Sequence, residues 1–420
     1  MERLALLSGC VVMAAGIVQA VPHVEQDEVR VDNVQGMLSV RYTLRGDPAI
    51  VTFSVETNAE GGAWIPLGGE LLKSVTGPAN CLVRTPGPQH IVWRAYRDWP
   101  DVKLPAERLR VSLRAWATNA PPPWMAVDLG APYAVKYYAE ESALPFPVTN
   151  RVWKTDSLLL RRIPAAFVEW HMGVAARENG SRQSGWEWTP ETGHRVTLTR
   201  DYYMAVYQLT QRQYVKITGN PNPSHFTEPC ATCGDDEAAV ETRPLENITY
   251  ANAVTSSAGP IERLRALTGI ASFNLPTSAE WEYACRAGSS HALYSDKELE
   301  SDGKPTTSAN VSELAWYGSD QNRADLGNAH AHTHPVGLKL PNKWKLYDML
   351  GNVEERTRDW FVSDLGSEPV IDPEQATKAA HDGHATYGGN YTRQAYRVRC
   401  CCRNYYDTAT PICGIRVMCY

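Results

Sequence analysis

Two short motifs in the second half of the chain carry side chains that bind metals or exchange electrons. Cys230-Ala231-Thr232-Cys233 has the spacing of a redox-active dithiol or of half a zinc site, and no second motif of this spacing occurs to complete a zinc site. His330-Ala331-His332-Thr333-His334 places three imidazoles at alternate positions, so an extended segment would present them on one face to zinc, copper or nickel. We favour a loop-closing disulfide for the first motif and histidines of a polar loop for the second, with metal binding as the alternative for both.

A third group of residues is basic and aromatic and lies near the C-terminus. It consists of Arg393, Arg397, Arg399 and Arg403 with Tyr391, Tyr396 and Tyr405. Asn390, Tyr391, Arg393 and Arg397 are the candidate residues of a cleft for an anionic or sugar ligand. The alternative is a set of salt bridges on a strand over Arg397-Val398-Arg399, and the residues alone leave both interpretations open.

Length and composition limit the kinds of protein in which these residues can occur. A chain of 420 residues is long enough for two or three domains. Its net charge of −6 argues against a nucleic-acid-binding protein, which would carry a basic face. An apolar content of 43% is enough for packed cores and argues against general disorder.

The N-terminus predicts export. Residues 1–20 have a short basic start, an apolar run and the small residues of a cleavage site, which is typical of a signal peptide. The alternative is lipidation of Cys10 in Leu7-Ser8-Gly9-Cys10, but too few residues precede it. No later stretch has the length of a membrane-spanning helix, so we expect a periplasmic or extracellular protein whose nine remaining cysteines are disulfide candidates.

The chain divides into a β-rich part and a mixed part. Apolar residues alternate along several segments between 31 and 118, which predicts a small all-β sandwich of immunoglobulin-like type. Pro-rich stretches bound a connector with some extended structure at 119–150. The remainder, 151–420, predicts an α+β domain with much irregular structure, in which Thr210/Gln213 and Thr277/Glu280 form the capping boxes of two helices.

The mixed part resembles the formylglycine-generating enzyme family, also called sulfatase-modifying factors, over its 270 residues. The resemblance rests on an ordered set of motifs: 201–210, Arg243-Pro244-Leu245-Glu246-Asn247-Ile248, 275–284, His334-Pro335-Val336-Gly337, 346–353, Gly388-Gly389-Asn390-Tyr391 and Gly414-Ile415-Arg416-Val417. It implies a C-type-lectin-like core with many loops.

The same resemblance argues against the family's copper chemistry. In active members two cysteines bind copper(I) and oxidise a substrate cysteine to formylglycine. The first of these positions is Arg393 here, and the second falls near Ala395 in an apparent deletion. A guanidinium cannot replace a thiolate as a copper ligand, so we do not expect copper.

Two structural features of the family are matched. The resemblance implies a disulfide between Cys285 and Cys400, with a plain buried thiol at Cys285 as the alternative. It also implies a calcium site with carboxylates from Asp348 and Glu355 and backbone carbonyls from Gly351 and Val353. The pairing of Cys401, Cys402, Cys413 and Cys419 stays open.

These observations favour an exported accessory protein that binds a protein or glycan ligand with its lectin-like loops. Two alternatives stay open: an oxygen-dependent oxidase acting on protein cysteine, through Cys401, Cys402 or the histidines, and a structural protein of the cell envelope. The sequence does not define the oligomeric state.

Overall fold

The computed structural model describes residues 21–26, 30–34, 36–58, 62–100, 106–174, 193–230, 233, 236–300, 306–318, 327–378 and 381–420. The predicted signal peptide, residues 1–20, lies outside them. The chain forms two compact units. One contains the described residues up to Pro66 together with Ser74–Pro121, and the other contains Leu67–Lys73 and Pro122–Tyr420.

The first unit is built from two antiparallel sheets, which confirms the predicted all-β fold. Leu38, Val40, Tyr42 and Leu44 alternate along one strand and are all buried, as the period of two requires. One sheet contains, in spatial order, His23–Val24, Met37–Arg45, Gly87–Arg94 and Val75–Thr76, with Arg30–Val34 also on Met37–Arg45. The other contains Ile65–Pro66, Ala49–Thr57 and Cys81–Val83, with Leu109–Ala117 also on Ala49–Thr57.

The second unit is centred on a five-stranded antiparallel sheet. Its strands, in spatial order, are Ala134–Tyr138, Trp124–Asp128, Ser157–Ile163, Tyr202–Ala205 and Met418–Cys419. The first two of these strands fall within the segment that the sequence predicts as a connector, 119–150. That boundary needs correction, because Trp124–Asp128 pairs along its whole length with Ser157–Ile163 and buries Trp124, Met125, Ala126 and Val127.

Two smaller sheets are built from strands that lie in sequence between Ser157–Ile163 and Met418–Cys419 of the central sheet. Val168–Met172, His194–Leu198 and Val370–Ile371 form a three-stranded sheet, and Arg403–Tyr406, His384–Tyr387, Glu354–Trp360 and Cys413–Gly414 form a four-stranded one. The predicted strand over Arg397-Val398-Arg399 is wrong. A 3-10 turn occupies Ala395–Arg397 and the strand begins only at Arg403, because the backbone N–H of Val398 donates to Ala395 within the turn.

The helices are short, and four of those described begin with a side-chain cap, from Thr210, Asp236, Thr277 and Ser308. Both predicted capping boxes are present, at Thr210 with Gln213 and at Thr277 with Glu280. The helices are Ala95–Asp98 in the first unit and Val152–Thr155, Gln211–Thr218, Glu237–Glu241, Pro260–Thr268, Ser278–Arg286 and Ala309–Leu314 in the second. The α+β class of the second unit is therefore confirmed. In the part of the chain that the structure describes, no helix has the length and apolar character needed to cross a membrane.

Candidate functional site

The strand Glu354–Trp360 begins with two buried glutamates whose side chains have separate sets of partners. Successive side chains of a strand point to opposite faces. Glu354 contacts Arg393, whereas Glu355 contacts Arg416. The two ion pairs therefore define two polar clusters, which we call the Glu354 cluster and the Glu355 cluster.

The Glu354 cluster occupies the positions at which the family resemblance places copper chemistry. One carboxylate oxygen of Glu354 accepts from Asn390 Nδ2 at 2.7 Å and from Arg393 Nε at 3.2 Å. The other accepts from Thr386 Oγ1 at 2.7 Å. Arg393 also donates to Tyr406 Oη at 2.8 Å. Glu354, Asn390 and Thr386 are buried, so the carboxylate is desolvated but fully hydrogen-bonded, as a buried charge must be.

A small pocket borders this cluster. It is lined by Glu354, Gly389, Arg393, Arg397, Cys402, Arg403 and Asn404, and its volume is about 20 Å³. That volume holds about one water molecule. Three guanidiniums against one carboxylate make the lining cationic, which suits an anionic group at its mouth.

The predicted cleft residues divide into two pairs. Arg393 and Arg397 line the pocket. Asn390 and Tyr391 are buried, and Asn390 supports the pocket from within by its bond to Glu354. Cys402 and Asn404 were not predicted as lining residues, because the turn before Arg403 cannot be recognised from residue alternation.

The Glu355 cluster is closed. Arg416 is fully buried and donates to both oxygens of Glu355, at 2.9 and 2.7 Å. Its other N–H groups donate to the carbonyls of Ala205, Val206 and Tyr347 at 2.7–3.0 Å. Trp281 Nε1 donates to Glu355 at 2.6 Å. This cluster joins the central sheet to the start of the strand.

The donor set of the predicted calcium site, which is Asp348, Gly351, Val353 and Glu355, does not fit a calcium ion in this arrangement. Gln208 Nε2 lies 3.2, 3.4 and 2.9 Å from the carbonyl oxygens of Asp348, Gly351 and Val353, so an amide group lies at the point to which these oxygens converge. Both oxygens of Glu355 are committed to Arg416, whose positive charge disfavours a cation beside it.

Asp348, one of the expected calcium ligands, has one carboxylate oxygen that accepts a hydrogen bond and one that does not. Its Oδ2 accepts from the backbone N–H of Gly337 at 2.6 Å, and its Oδ1 has no hydrogen-bond partner within the described residues. Burial raises the pKa of this carboxyl to about 6, against the lowering effects of Gly337, Arg416 and Lys154. The raised pKa indicates a site without enough positive charge or donors to stabilise the ionised form fully.

Cys285 and Cys400 lie side by side, with their sulfurs 3.5 Å apart, and both are fully buried thiols here. The contact places the two partners of the predicted disulfide within reach of each other. The bridge itself stays a prediction, which peptide mapping of the unreduced protein would test.

The two metal-type motifs of the sequence meet in the structure. Cys230 and Cys233 form the local disulfide, as favoured. The three histidines do not share one face, because His330 and Ala331 both have positive φ and turn the chain. His330 is exposed and His334 stacks on Trp316, whereas the imidazole of His332 lies with the sulfurs of Cys230 and Cys233, all ligand atoms within 4.8 Å of one another.

Comparison with known proteins agrees with the resemblance drawn from the motifs. Residues 169–419 match the family model of the sulfatase-modifying factor enzyme 1-like domain. The chaperone protein LppX of Paenibacillus barcinonensis is 28% identical, over 39% of this chain and 64% of the relative. The formylglycine-generating enzyme of Mus musculus is 32% identical, over 34% of this chain and 38% of the enzyme. The chain thus spans less than two thirds of the length of these relatives.

Among solved structures, the variable protein 1 of Treponema denticola is similar over 63% of this chain and 95% of its own, with 22% identity and a TM-score of 0.47.

Proposed function

Since the chain belongs to the sulfatase-modifying factor family, we propose that it is an exported accessory protein of that family, which binds a protein or glycan ligand and does not oxidise cysteine. The observation that carries this proposal is the Glu354 cluster. Where the resemblance expects the first of two soft thiolates, Arg393 is present instead, and together with Asn390 it donates to a buried carboxylate.

The electrostatics of the cluster support the loss of copper chemistry. Copper(I) is bound by soft, polarisable thiolates, and neither a guanidinium nor an amide nitrogen that is already donating can serve as such a ligand. Cys402 lines the same pocket, but Arg393, Arg397 and Arg403 line it as well. These fixed positive charges favour a bound anion and oppose a bound cation.

The binding role is supported by the pocket and by one relative. Arg397 is half-buried, lines the pocket and donates to the neighbouring Tyr396 hydroxyl at 3.3 Å. An arginine at this position can pair with a carboxylate, sulfate or phosphate of a ligand. The name of the Paenibacillus barcinonensis relative, a chaperone protein, supports an accessory role for this chain.

The experiment has an oxidase arm and a binding arm. In the first, a Cys-x-Pro-x-Arg peptide is incubated with the protein, copper(I) and oxygen, and mass spectrometry follows the thiol. We expect the peptide to keep its thiol, and conversion to the aldehyde would overturn the proposal. In the second, a glycan and peptidoglycan array and a panel of anionic peptides are tested with wild type and with Arg397→Ala.

For the binding arm we expect one class of acidic ligand that Arg397→Ala binds at least tenfold more weakly. The matched control is Arg195→Ala, because Arg195 lies exposed on the strand His194–Leu198, pairs with Glu169 and is not among the residues that line the pocket. Equal binding by wild type and Arg397→Ala would exclude the pocket as the binding site. Cell fractionation of the full-length chain tests export, and a purely cytoplasmic product would contradict it.

A further inference from the structure

We propose that Cys230, Cys233 and His332 form a zinc site in the reduced protein, and that the Cys230–Cys233 disulfide is the oxidised, metal-free state of the same site. This site is separate from the Glu354 cluster and does not depend on the function proposed above. It rests on four observations about the described residues around the two cysteines.

The first observation is the distance between the ligand atoms. The two sulfurs and the imidazole nitrogen lie within 4.8 Å of one another. Zinc binds cysteine sulfur at about 2.3 Å and histidine nitrogen at about 2.0 Å, which in a tetrahedron places ligand atoms roughly 3.5–4 Å apart. The three atoms are therefore close enough to share one ion once the S–S bond is open. The two soft sulfurs select zinc over calcium or magnesium.

The second observation concerns the sulfur of Cys230. The backbone N–H of Cys233 donates to this sulfur at 3.2 Å, and also approaches the carbonyl of Cys230 at 3.0 Å. A hydrogen bond to sulfur favours the charged thiolate over the thiol. The turn therefore prepares Cys230 to act as an anionic ligand.

The third observation concerns the imidazole of His332. Its Nδ1 lies 2.8 Å from the carbonyl oxygen of Thr333, which can only accept, so Nδ1 carries the proton. The lone pair is then on Nε2, which is the nitrogen that would bind the metal. A backbone carbonyl on the opposite ring nitrogen is the usual way in which proteins orient a histidine ligand.

The fourth observation is that buried charges fix the segment leading to Cys230. Glu246 accepts from the backbone N–H groups of His225 and Phe226 at 2.6 and 2.9 Å, and Arg243 donates to the carbonyl of Glu228 at 2.8 Å. The ring of Phe226 in turn packs on His332, with centroids 4.1 Å apart. The cysteine and histidine segments are thus held together without any metal, as a preorganised site requires.

The two states interconvert by a balanced exchange. A small-molecule or protein dithiol transfers two electrons and two protons to the Cys230–Cys233 bond, which breaks, while the dithiol becomes a disulfide. Zinc then binds the two thiolates and the neutral imidazole, and two protons are released from the thiols. Zinc keeps its oxidation state throughout, and three protein ligands leave its fourth position for water.

Titration of the full chain with Zn²⁺ alone tests the proposal. The protein is reduced with a dithiol, desalted without oxygen and titrated in competition with a chromophoric chelator; the unreduced protein is titrated in parallel. We expect one tightly bound zinc per chain that is absent before reduction. With Co²⁺ in place of zinc, the reduced protein should show thiolate-to-cobalt charge-transfer absorption.

Variants assign the binding to this site rather than to the other cysteines. Cys230→Ser should lose the zinc, and His332→Asn should bind it at least tenfold more weakly. His330→Asn is the matched control, because it removes an exposed imidazole two residues away and should bind zinc as wild type does. Circular dichroism and the thermal midpoint establish that each variant is folded.

Three results would overturn the proposal: no zinc in the reduced wild type, full zinc binding in folded Cys230→Ser, or equal affinities for His332→Asn and His330→Asn. If Cys230→Ser does not fold, Cys233→Ser and the His332/His330 pair decide, because these changes leave the buried Cys230 in place.

Discussion

Glu354 and Glu355 are neighbours in sequence, both are buried and each is paired with an arginine, yet their clusters differ in access to solvent. The side chain of Arg416 is 0% exposed and that of Arg393 is 25% exposed. Arg416 satisfies its donors with one carboxylate and three backbone carbonyls, whereas Arg393 borders a pocket.

The difference separates scaffold from site. A fully buried pair with all donors satisfied holds elements in one arrangement and offers nothing to a ligand. A pair at a pocket can exchange a contact with the protein for one with a ligand. Changes to the two clusters test this division, and the largest effect is expected in the closed cluster.

Removing Arg416 should be the most damaging single change. Arg416→Met leaves the Glu355 carboxylate buried and unpaired, and the loss of one partner of a buried pair costs about 3–5 kcal/mol. Urea unfolding at neutral pH measures it. In the double variant Arg416→Met with Glu355→Leu both charges are absent, and we expect part of the loss to be recovered. A loss below about 1 kcal/mol in the single variant would show that solvent reaches this cluster.

The second prediction concerns pH and Asp348, which lies beside the closed cluster. Its folded pKa of about 6 exceeds the ordinary value of 3.8. The folded chain therefore binds the proton of Asp348 more tightly than the unfolded chain, and protonation of this carboxyl stabilises the fold. The stabilisation is fully present below about pH 4 and is lost as the pH rises through about 6.

Asp348→Asn should remove this pH dependence. The difference in unfolding free energy between wild type and variant should fall with rising pH by on the order of 2 kcal/mol across that range. The buried Asp359, whose pKa burial also raises to about 6, is present in both proteins and cancels in the difference. Parallel stability curves for the two proteins would contradict the assignment.

Much of this architecture could be predicted, but the partners of the two glutamates could not. Each capping box joins two residues that are three positions apart, Thr210 with Gln213 and Thr277 with Glu280, so both can be recognised in the sequence. Arg416 and Glu355 are 61 residues apart, and only the folded sheets bring them together. Sequence identified Glu355 as a calcium ligand from its motif and had no means of detecting the arginine that competes for it.

The secondary-structure predictions that proved wrong also failed because the deciding contacts are not visible in the local sequence. Trp124–Asp128 is a short apolar run beside prolines, and a strand buried on both faces has no alternation to reveal it. Over Arg397-Val398-Arg399 the pattern of three residues fits a strand, but the turn at Ala395–Arg397 prevails. The position of His332 beside the cysteines depends on a turn at His330 and Ala331, where non-glycine residues adopt positive φ.

The third prediction concerns the open cluster, where the cost should be smaller. Arg393→Met should destabilise the protein by about 1–3 kcal/mol, less than Arg416→Met, because Arg393 is itself partly exposed and Asn390 and Thr386 still donate to the Glu354 carboxylate. Adding Glu354→Gln should recover most of the loss. Arg397→Met should change stability by no more than about 0.5 kcal/mol while weakening ligand binding. Urea unfolding of wild type, these three variants and Arg416→Met measures the order of stability. Equal losses of stability in Arg393→Met and Arg416→Met would contradict the distinction between the two clusters.

The smallest expected effect is that of calcium on the thermal midpoint, which should be zero for wild type. The amide of Gln208 donates to the carbonyls that would otherwise face a cation, so the thermal midpoint should be the same in excess calcium and in a calcium chelator. Gln208→Glu keeps the shape but turns a donor into a carboxylate facing carbonyl oxygens, an arrangement that costs stability without a cation. Calcium should raise the midpoint of this variant and leave that of wild type unchanged.

Gln208→Ala is the control, because it removes the donor without adding a charge. We expect this variant to be destabilised by about 1–3 kcal/mol and its midpoint to be independent of calcium. A calcium-dependent midpoint in wild type would mean that the loop binds the ion despite the amide, and that the Glu355 cluster is an open metal site rather than closed scaffold.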